Sequence, residues 1–183
     1  GRQPLLCMFP NYTRNIPLFE GNFFCFLKAG MPQEPSNTLS YQRSNFITRL
    51  PVDYLYAPSH AWIARHDAEH WRVGLTKFAT RMVGEMVDHG FEVEPGAAVQ
   101  PGRIVGWIEG FKAISDLFCI ADGEFAGGNP ALKEQITLVN EDPYGHGWLY
   151  LVKGKPDAQC LEVHAYRDLL DATIDRLLAQ RRQ

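Results

Sequence analysis

Lys112 lies at the point of the chain where a specific chemistry is easiest to place. Two apolar runs, Ile104 to Ile108 and Leu117 to Ile120, surround it, with Glu109-Gly110 leading in and Ser115-Asp116 leading out. This pattern predicts a β-hairpin with Lys112 at its tip. A lysine amine can form an amide with an acyl group, which removes its charge and extends its reach. A group that must meet several partners is best attached to an exposed turn on a rigid sheet.

Other interpretations of the same residues imply less chemistry. An exposed hairpin lysine is most often only a solubilising charge. Ser115 and Asp116 could suggest a hydrolytic group, but no histidine base stands beside them and a hairpin tip offers no enclosed pocket. No catalytic residue is therefore predicted. The six histidines are expected to be ordinary surface or core side chains, so no metal site is predicted. They are His60, His66, His70, His89, His146 and His164.

The chain from Tyr54 onward is organised as short apolar runs with turn signals every eight to twelve residues, which is typical of a compact β-sandwich or barrel. The turn signals are Glu94-Pro95-Gly96, Gln100-Pro101-Gly102, Ala121-Asp122-Gly123 and Gly127-Gly128-Asn129-Pro130. The predicted strands are Trp62 to Arg65, Trp71 to Leu75, Met86 to His89, Ile104 to Glu109, Leu117 to Ala121 and Trp148 to Val152. Core packing is the expected role of the tryptophans Trp62, Trp71, Trp107 and Trp148.

Two helices are predicted within this β-rich region. Thr76 can cap a short helix that runs to about Val83, because its hydroxyl can accept from the free amides of the first turn. A C-terminal helix near 163 to 180 follows from apolar residues at helical spacing, which are Tyr166, Leu169, Leu170, Ile174, Leu177 and Leu178.

Residues 1–50 lack the helical or strand periodicity of the rest of the sequence. This segment is therefore predicted to be an irregular N-terminal arm, and residues 51–183 are predicted to be the folded domain. Prolines interrupt every possible element in the arm, at positions 4, 10, 17, 32 and 35. The chain opens with Gly1, and Met31 stands where a shorter protein could begin. Arg2 and Arg14 could belong to a presequence, although Glu20 and the prolines make a poor amphipathic helix.

Composition excludes several classes of function. The 183 residues are 45% hydrophobic, enough for one domain core, and the formal net charge is only −3 with dispersed basic residues. Nucleic acid is therefore an unexpected partner. The apolar run Phe23 to Leu27 is far shorter than the roughly 20 residues needed to span a bilayer, so no membrane span is predicted. The four dispersed cysteines, Cys7, Cys25, Cys119 and Cys160, fit a reducing compartment. A disulfide bond between Cys7 and Cys25 is the alternative.

Lys112 belongs to a longer pattern of residues, which are Gly96, Gly102, Glu109, Gly110, Phe111, Lys112, Ala113, Ile114, Ser115, Asp116, Gly123 and Asn129. This pattern resembles the lipoyl-attachment signature of glycine-cleavage H proteins. The similarity extends collinearly over about residues 54 to 170, and it includes Ser59-His60-Ala61-Trp62, Val73 to Ala79 and Leu138 to Leu149. Biotinyl carriers share this architecture, but methionines normally flank their lysine.

The resemblance implies a fold and a function. The fold would be mainly β with minor α, a hybrid barrel-sandwich with a short internal helix and a C-terminal helix. Lipoate would be attached covalently to Lys112, flanked by the motif neighbours Glu109, Gly110, Phe111, Ala113 and Ser115, while Ser59 and Asp116 would contact the arm in a cleft.

As such a carrier, the chain would be a non-catalytic component of glycine catabolism that shuttles an aminomethyl group on a swinging arm. Its partners would be glycine decarboxylase (P protein), aminomethyltransferase (T protein) and dihydrolipoyl dehydrogenase (L protein). A lipoate ligase or an octanoyltransferase would attach the arm. The expected location is the cytoplasm, or the mitochondrial matrix in a eukaryote.

Four positions depart from the family pattern and keep two alternatives open. Ala61 stands where the family usually has a glutamate that helps to hold the aminomethylated arm, and His146 stands where the family often has a glutamate. Gly110-Phe111 replaces the usual small polar and β-branched pair before the lysine. Ala61 and Phe111 favour a related lipoyl carrier for another pathway, such as sulfur oxidation or the relay of octanoyl and lipoyl groups. The second alternative is an unmodified interaction domain, in which Lys112 is only a surface charge.

Overall fold

The structure is a computed structural model that describes residues 37–180. The predictions about Cys7, Cys25, Met31 and the first part of the N-terminal arm lie outside the described residues. Eleven strands and three α-helices make up the described chain. The strands are β1 (Thr38–Arg43), β2 (Phe46–Pro51), β3 (Leu55–Tyr56), β4 (Ala61–Arg65), β5 (His70–Leu75), β6 (Met86–Phe91), β7 (Ala98–Val99), β8 (Ile104–Gly110), β9 (Ile114–Phe118), β10 (Ala121–Gly128) and β11 (Tyr150–Pro156). The helices are α1 (Lys77–Val83), α2 (Leu138–Glu141) and α3 (Val163–Gln180).

Two antiparallel sheets share one core, as the mainly β sandwich-like fold class predicted. The larger sheet has the strand order β3-β4-β5-β11-β10-β7, and the smaller sheet has the order β6-β8-β9. Because alternate side chains of a strand point to opposite faces, each sheet can bury one apolar face. The buried cluster that joins the two sheets includes Ile63, Val73, Val105, Ile108, Phe125 and Val152.

A second core cluster, largely aromatic, packs α3 against the edge of the larger sheet. Tyr166 of α3 stacks on Tyr56 with ring centroids 4.5 Å apart, and Trp62 of β4 is fully buried in the same cluster. The predicted C-terminal helix is thereby confirmed. The short internal helix is confirmed as well, because the Thr76 hydroxyl accepts from the backbone N–H of Ala79 at the start of α1. Within residues 37–180, no helix is long and apolar enough to cross a membrane.

The prediction of one strand from Leu117 to Ala121 is wrong. Strand β9 ends at Phe118 and β10 begins at Ala121, so two strands meet where one was expected. The glycines of β10 resemble a turn in sequence, but Gly123 lies directly opposite Gly154 of β11. Both have positive φ angles, 154° and 155°. A Cβ at either position would collide with the opposite backbone, so these glycines permit close approach of two strands.

The prediction of irregular structure up to residue 50 is also wrong in its last part. Strands β1 and β2 form a hairpin, and the boundary placed at residue 50 falls inside β2. Its side chains Tyr41, Phe46 and Leu50 are buried in the aromatic cluster with α1 and α3. The prolines that suggested an irregular arm all precede this hairpin, so they place no restriction on it.

Polar contacts fix the β1–β2 hairpin to α3. The Tyr41 hydroxyl donates to Asp171 (2.7 Å), and the Arg43 guanidinium forms a two-bond pair with Asp175 at 2.9 and 2.5 Å. The hydrogen bond from Arg43 lowers the pKa of the Asp175 carboxyl below its ordinary value. The pair is exposed, so most of the hairpin's stability comes from its buried aromatic side chains.

Candidate attachment site and cleft

Lys112 lies in the turn that joins β8 to β9, at the exposed end of the smaller sheet. The turn is closed by a hydrogen bond from the backbone N–H of Gly110 to the carbonyl of Ala113 (3.0 Å). The side chains on either side of the turn face solvent, since Phe111 is 76% exposed and Ile114 68% exposed. The predicted hairpin with Lys112 at its tip is therefore confirmed.

The loop between α1 and β6 fixes the backbone of this turn through two hydrogen bonds. The backbone N–H of Phe111 donates to the Glu85 carbonyl, and that of Lys112 donates to the Val83 carbonyl, both at 3.0 Å. Gly84, between these two carbonyls, has a φ of 96°, and a Cβ there would lie 3.1 Å from Cγ of Lys112. Glycine at this position lets the loop and the lysine side chain pack directly on each other.

Asn140 of α2 braces the same loop. Its side-chain amide donates to the Gly84 carbonyl (3.0 Å), and its Oδ1 accepts from the backbone N–H of Met86 (2.8 Å). Its own carbonyl accepts from Nζ of Lys77 at 2.5 Å. Asn140 thus positions, through the loop, the backbone of the lysine turn, and the sequence pattern gave no signal of this role.

A narrow cleft of about 120 Å³ opens beside β9, next to the lysine turn. Ser59 and Asp116, far apart in sequence, both line it, together with Ala61 and Ser115. Its remaining wall is mostly apolar and comes from β5, α1, β9, β11 and the residue before β11, through Val73, Leu75, Ala79, Val83, Leu117, Leu149 and Tyr150. The cleft therefore combines an apolar interior with a few hydroxyl groups and one carboxylate.

The remaining motif residues have structural positions that differ from one another. Glu109 and Gly110 end β8, and Gly110 is buried where a Cβ would lie 2.6 Å from the Val83 carbonyl. Ala113 is exposed in the turn, and Ser115 is half-buried at the cleft wall. Ala61 at the cleft wall supplies no polar group, which is the departure expected from the sequence.

A second depression, the hairpin groove, lies on the other side of α1. It has a volume of about 380 Å³ and includes Lys112 itself in its wall. Ala79 and Val83 of α1 face the cleft, whereas Thr80 and Arg81 face the hairpin groove. The turn lysine thus stands between two depressions.

His60 supports the first strand of the cleft from within the core. Its ring packs on Phe78 with centroids 4.6 Å apart, and its Nδ1 lies 2.9 Å from the Tyr166 hydroxyl. Its backbone is left-handed, with a φ of 65°. Burial, with a smaller contribution from the charge of Arg176, lowers the pKa of His60 to about 4.

This pKa predicts that the protein loses stability in mild acid. The unfolded chain binds a proton at His60 below about pH 6.5, whereas the folded chain binds it only below about pH 4. Stability from this group is therefore complete above pH 6.5 and falls by an amount on the order of 2 kcal/mol as the pH drops towards 4. The free energy of unfolding in urea at pH 7 and pH 4.5 measures this change.

His60→Asn tests the assignment, because asparagine tolerates a left-handed backbone and does not titrate. The pH dependence should be smaller in this variant but not zero, since burial also lowers the pKa of His66 and of His89. The matched control is His164→Asn, at an exposed position of α3. An unchanged pH dependence in His60→Asn would assign the acid sensitivity to other groups.

The described cysteines and acidic residues suggest no further chemistry. Cys119 and Cys160 are free thiols, and burial raises the pKa of both, that of Cys160 to about 11, so they remain protonated at neutral pH. Among residues 37–180, no group of three or more His, Cys, Asp or Glu side chains is arranged to hold a metal ion.

These features define a class of protein: a small β domain that presents one lysine at an exposed turn beside a cleft, as carrier domains do. A family model described as glycine cleavage H-protein matches residues 54–172. The chain belongs to this family.

Individual relatives agree with the family match. Glycine cleavage system H protein of Corynebacterium jeikeium is 38% identical over 124 residues, which cover 66% of this chain and 97% of the relative. The protein of that description from Rubrobacter xylanophilus is 38% identical over 123 residues, 66% of this chain and 96% of the relative. A crystal structure of a glycine cleavage system H protein from Mycobacterium marinum superposes with a TM-score of 0.57 at 33% identity, and the match covers 64% of this chain and 95% of that one.

Proposed function

We propose that this chain carries a lipoyl group on Lys112 and shuttles an aminomethyl group between the enzymes of glycine cleavage. The observation that supports this proposal most directly is the position of Lys112, exposed on a braced turn beside the cleft of Ser59 and Asp116. The carrier itself is non-catalytic and supplies position. A lipoyl group attached there would supply a dithiolane that accepts and releases the cargo.

The residues around Lys112 fit an acyl arm. The amine is exposed and can be reached by a lipoate ligase or an octanoyltransferase, while the backbone below it is fixed by bonds to Val83 and Glu85. The apolar wall of the cleft suits a hydrocarbon chain, because contact there removes apolar surface from water. Ser59, Ser115 and Asp116 offer oxygen atoms to the polar end of a cargo.

Three partner enzymes follow from this proposal. Glycine decarboxylase would supply the cargo, aminomethyltransferase would remove it, and dihydrolipoyl dehydrogenase would reoxidise the arm. Tethering to Lys112 would raise the local concentration of the reactive group at each partner to the order of millimolar. The exposed side chain of Phe111 would take part in these encounters, since it lies next to the attachment point and faces solvent.

Asp116 should retain the amine of the cargo. A primary ammonium that leaves water needs an acceptor, and one charge-assisted hydrogen bond is worth about 1.5–3 kcal/mol. Asp116→Ala should therefore make the loaded, lipoylated protein lose its amine at least about tenfold faster. Ammonia release after loading by glycine decarboxylase measures this rate. Asp122→Ala, an exposed carboxylate of β10, is the matched control, and equal rates in the two variants would remove Asp116 from the site.

Ala61 keeps one competing function open, a lipoyl carrier for another pathway. The residue lies in the cleft wall without a carboxylate, and Ala61→Glu should slow the loss of amine if the cleft is a weakened version of the family site. Transfer of an aminomethyl group from the decarboxylase of the same organism decides between the two functions. A lipoylated protein that accepts no such group would support the other carrier function.

A further inference from the structure

The hairpin groove is built partly by a region outside the family match. Phe46 and Ile47 of β2 form one wall of this groove, whereas the family model begins at residue 54. The opposite wall consists of α1, the loop after it and α2, through Lys77, Thr80, Arg81, Gly84, Glu85, Thr137, Asn140 and Glu141. The β1–β2 hairpin thus adds a depression that the matched region does not form alone.

The side chain of Lys112 already runs into this groove. Its Cγ packs over Gly84, and its Nζ donates to the carbonyl oxygen of Arg81 (3.3 Å). Acylation of the amine leaves one N–H, which can still donate to that carbonyl. An arm attached to Lys112 would therefore begin inside the hairpin groove and continue along its wall.

Two properties of the groove suit an uncharged arm. Ile47 is 66% exposed, so contact with a hydrocarbon chain would cover apolar surface that otherwise faces water. The cations Lys77 and Arg81 are balanced by the carboxylates Glu85 and Glu141, so the formal charge of the groove is zero once Lys112 becomes an amide. A neutral arm therefore adds no unpaired charge to the groove. The ammonium of a loaded arm would instead pair with the carboxylate of Asp116 in the cleft.

We propose that the hairpin groove is the resting site of the unloaded lipoyl arm. This proposal rests on the proposed function. In it, the Arg81 carbonyl accepts from the arm's amide, and the exposed Ile47 side chain covers its methylene chain. The β1–β2 hairpin is then a device that shields the arm between transfers.

Nuclear magnetic resonance of the full-length lipoylated protein tests the resting site directly. The arm, labelled with ¹³C in its methylene groups, should give nuclear Overhauser effects to the δ-methyl of Ile47. The amide resonances of residues 84, 85 and 141 should shift on lipoylation. Contacts to Ala61 and Leu117 with none to Ile47 would overturn the proposal. An absent lipoyl mass at Lys112 in the native protein would overturn the proposed function as well, so the two failures are distinguishable.

Two isoleucine variants provide a matched comparison. Ile47→Asp places a charge in the groove wall, while Ile114→Asp changes an equally exposed isoleucine beside Lys112 that does not line the groove. After reduction of the arm, its thiols should react with N-ethylmaleimide at least about threefold faster in Ile47→Asp than in the parent. Ile114→Asp should match the parent, with the reaction followed by the mass of the peptide that contains Lys112. Equal rates in all three proteins would overturn the proposal.

Discussion

Lys112→Arg should remove all lipoyl mass from the protein while leaving its folding almost unchanged. The guanidinium does not form the amide that a lysine amine forms, so attachment should fall from complete to undetectable. The exposed side chain contributes little packing, and the turn is held by backbone bonds that arginine also makes. The free energy of unfolding should therefore change by less than about 0.5 kcal/mol. Intact mass and urea unfolding measure the two effects.

Lys77→Arg is the matched control for this experiment. Lys77 lines the same groove, but its ammonium donates to the carbonyl of Asn140 at 2.5 Å and is not presented at the turn. The Lys77→Arg protein should keep its full lipoyl mass. A lipoyl group retained in Lys112→Arg would place the attachment site elsewhere, and loss of the group in both variants would indicate that the whole surface, rather than one amine, is recognised.

The position of Lys112 could be predicted because local patterns determine it. Two apolar runs with strand periodicity, separated by a few turn residues, leave few alternatives to a hairpin, and the two helices carried equally local signals. The boundary between β9 and β10 was mispredicted because turn glycines and close-approach glycines have the same sequence signature. Only the register of Gly123 against Gly154 separates these two roles.

The surroundings of Lys112 were less predictable, because they depend on contacts between distant parts of the chain. Ser59 and Asp116 were paired through family resemblance, and nothing in the spacing of the two residues alone indicates a shared cleft. The role of Asn140 follows from its contacts with Gly84 and Met86, which only the folded chain defines. The β1–β2 hairpin was missed because the prolines before it suggested an irregular arm as far as residue 50.

Trp62→Ala should be the most destabilising single change at this site. Trp62 is fully buried, and its indole N–H donates to the carbonyls of Leu75 (3.0 Å) and Pro143 (2.9 Å). Removing it leaves a large cavity and two carbonyls without this donor, which should lower the free energy of unfolding by about 3–5 kcal/mol. The cleft should be affected too, because Gly74 of its wall packs on the indole so closely that a Cβ there would lie 2.5 Å from the ring.

Trp62→Phe separates the effect of burial from that of hydrogen bonding, and Trp71→Ala is a comparison at a half-buried tryptophan. The phenylalanine variant keeps an aromatic ring but loses the shared N–H, so we expect a smaller loss, about 1–3 kcal/mol, and a protein that still folds. Trp71 of β5 is only half-buried and packs under the Arg65 guanidinium, 3.8 Å from its ring centroid, so its removal should cost about 1–2 kcal/mol. Urea unfolding of the three variants measures the order. Trp71 packs against the core between the two sheets, whereas Trp62 belongs to the aromatic cluster under α3. If Trp71→Ala were as destabilising as Trp62→Ala, the aromatic cluster would not be the main support of the cleft.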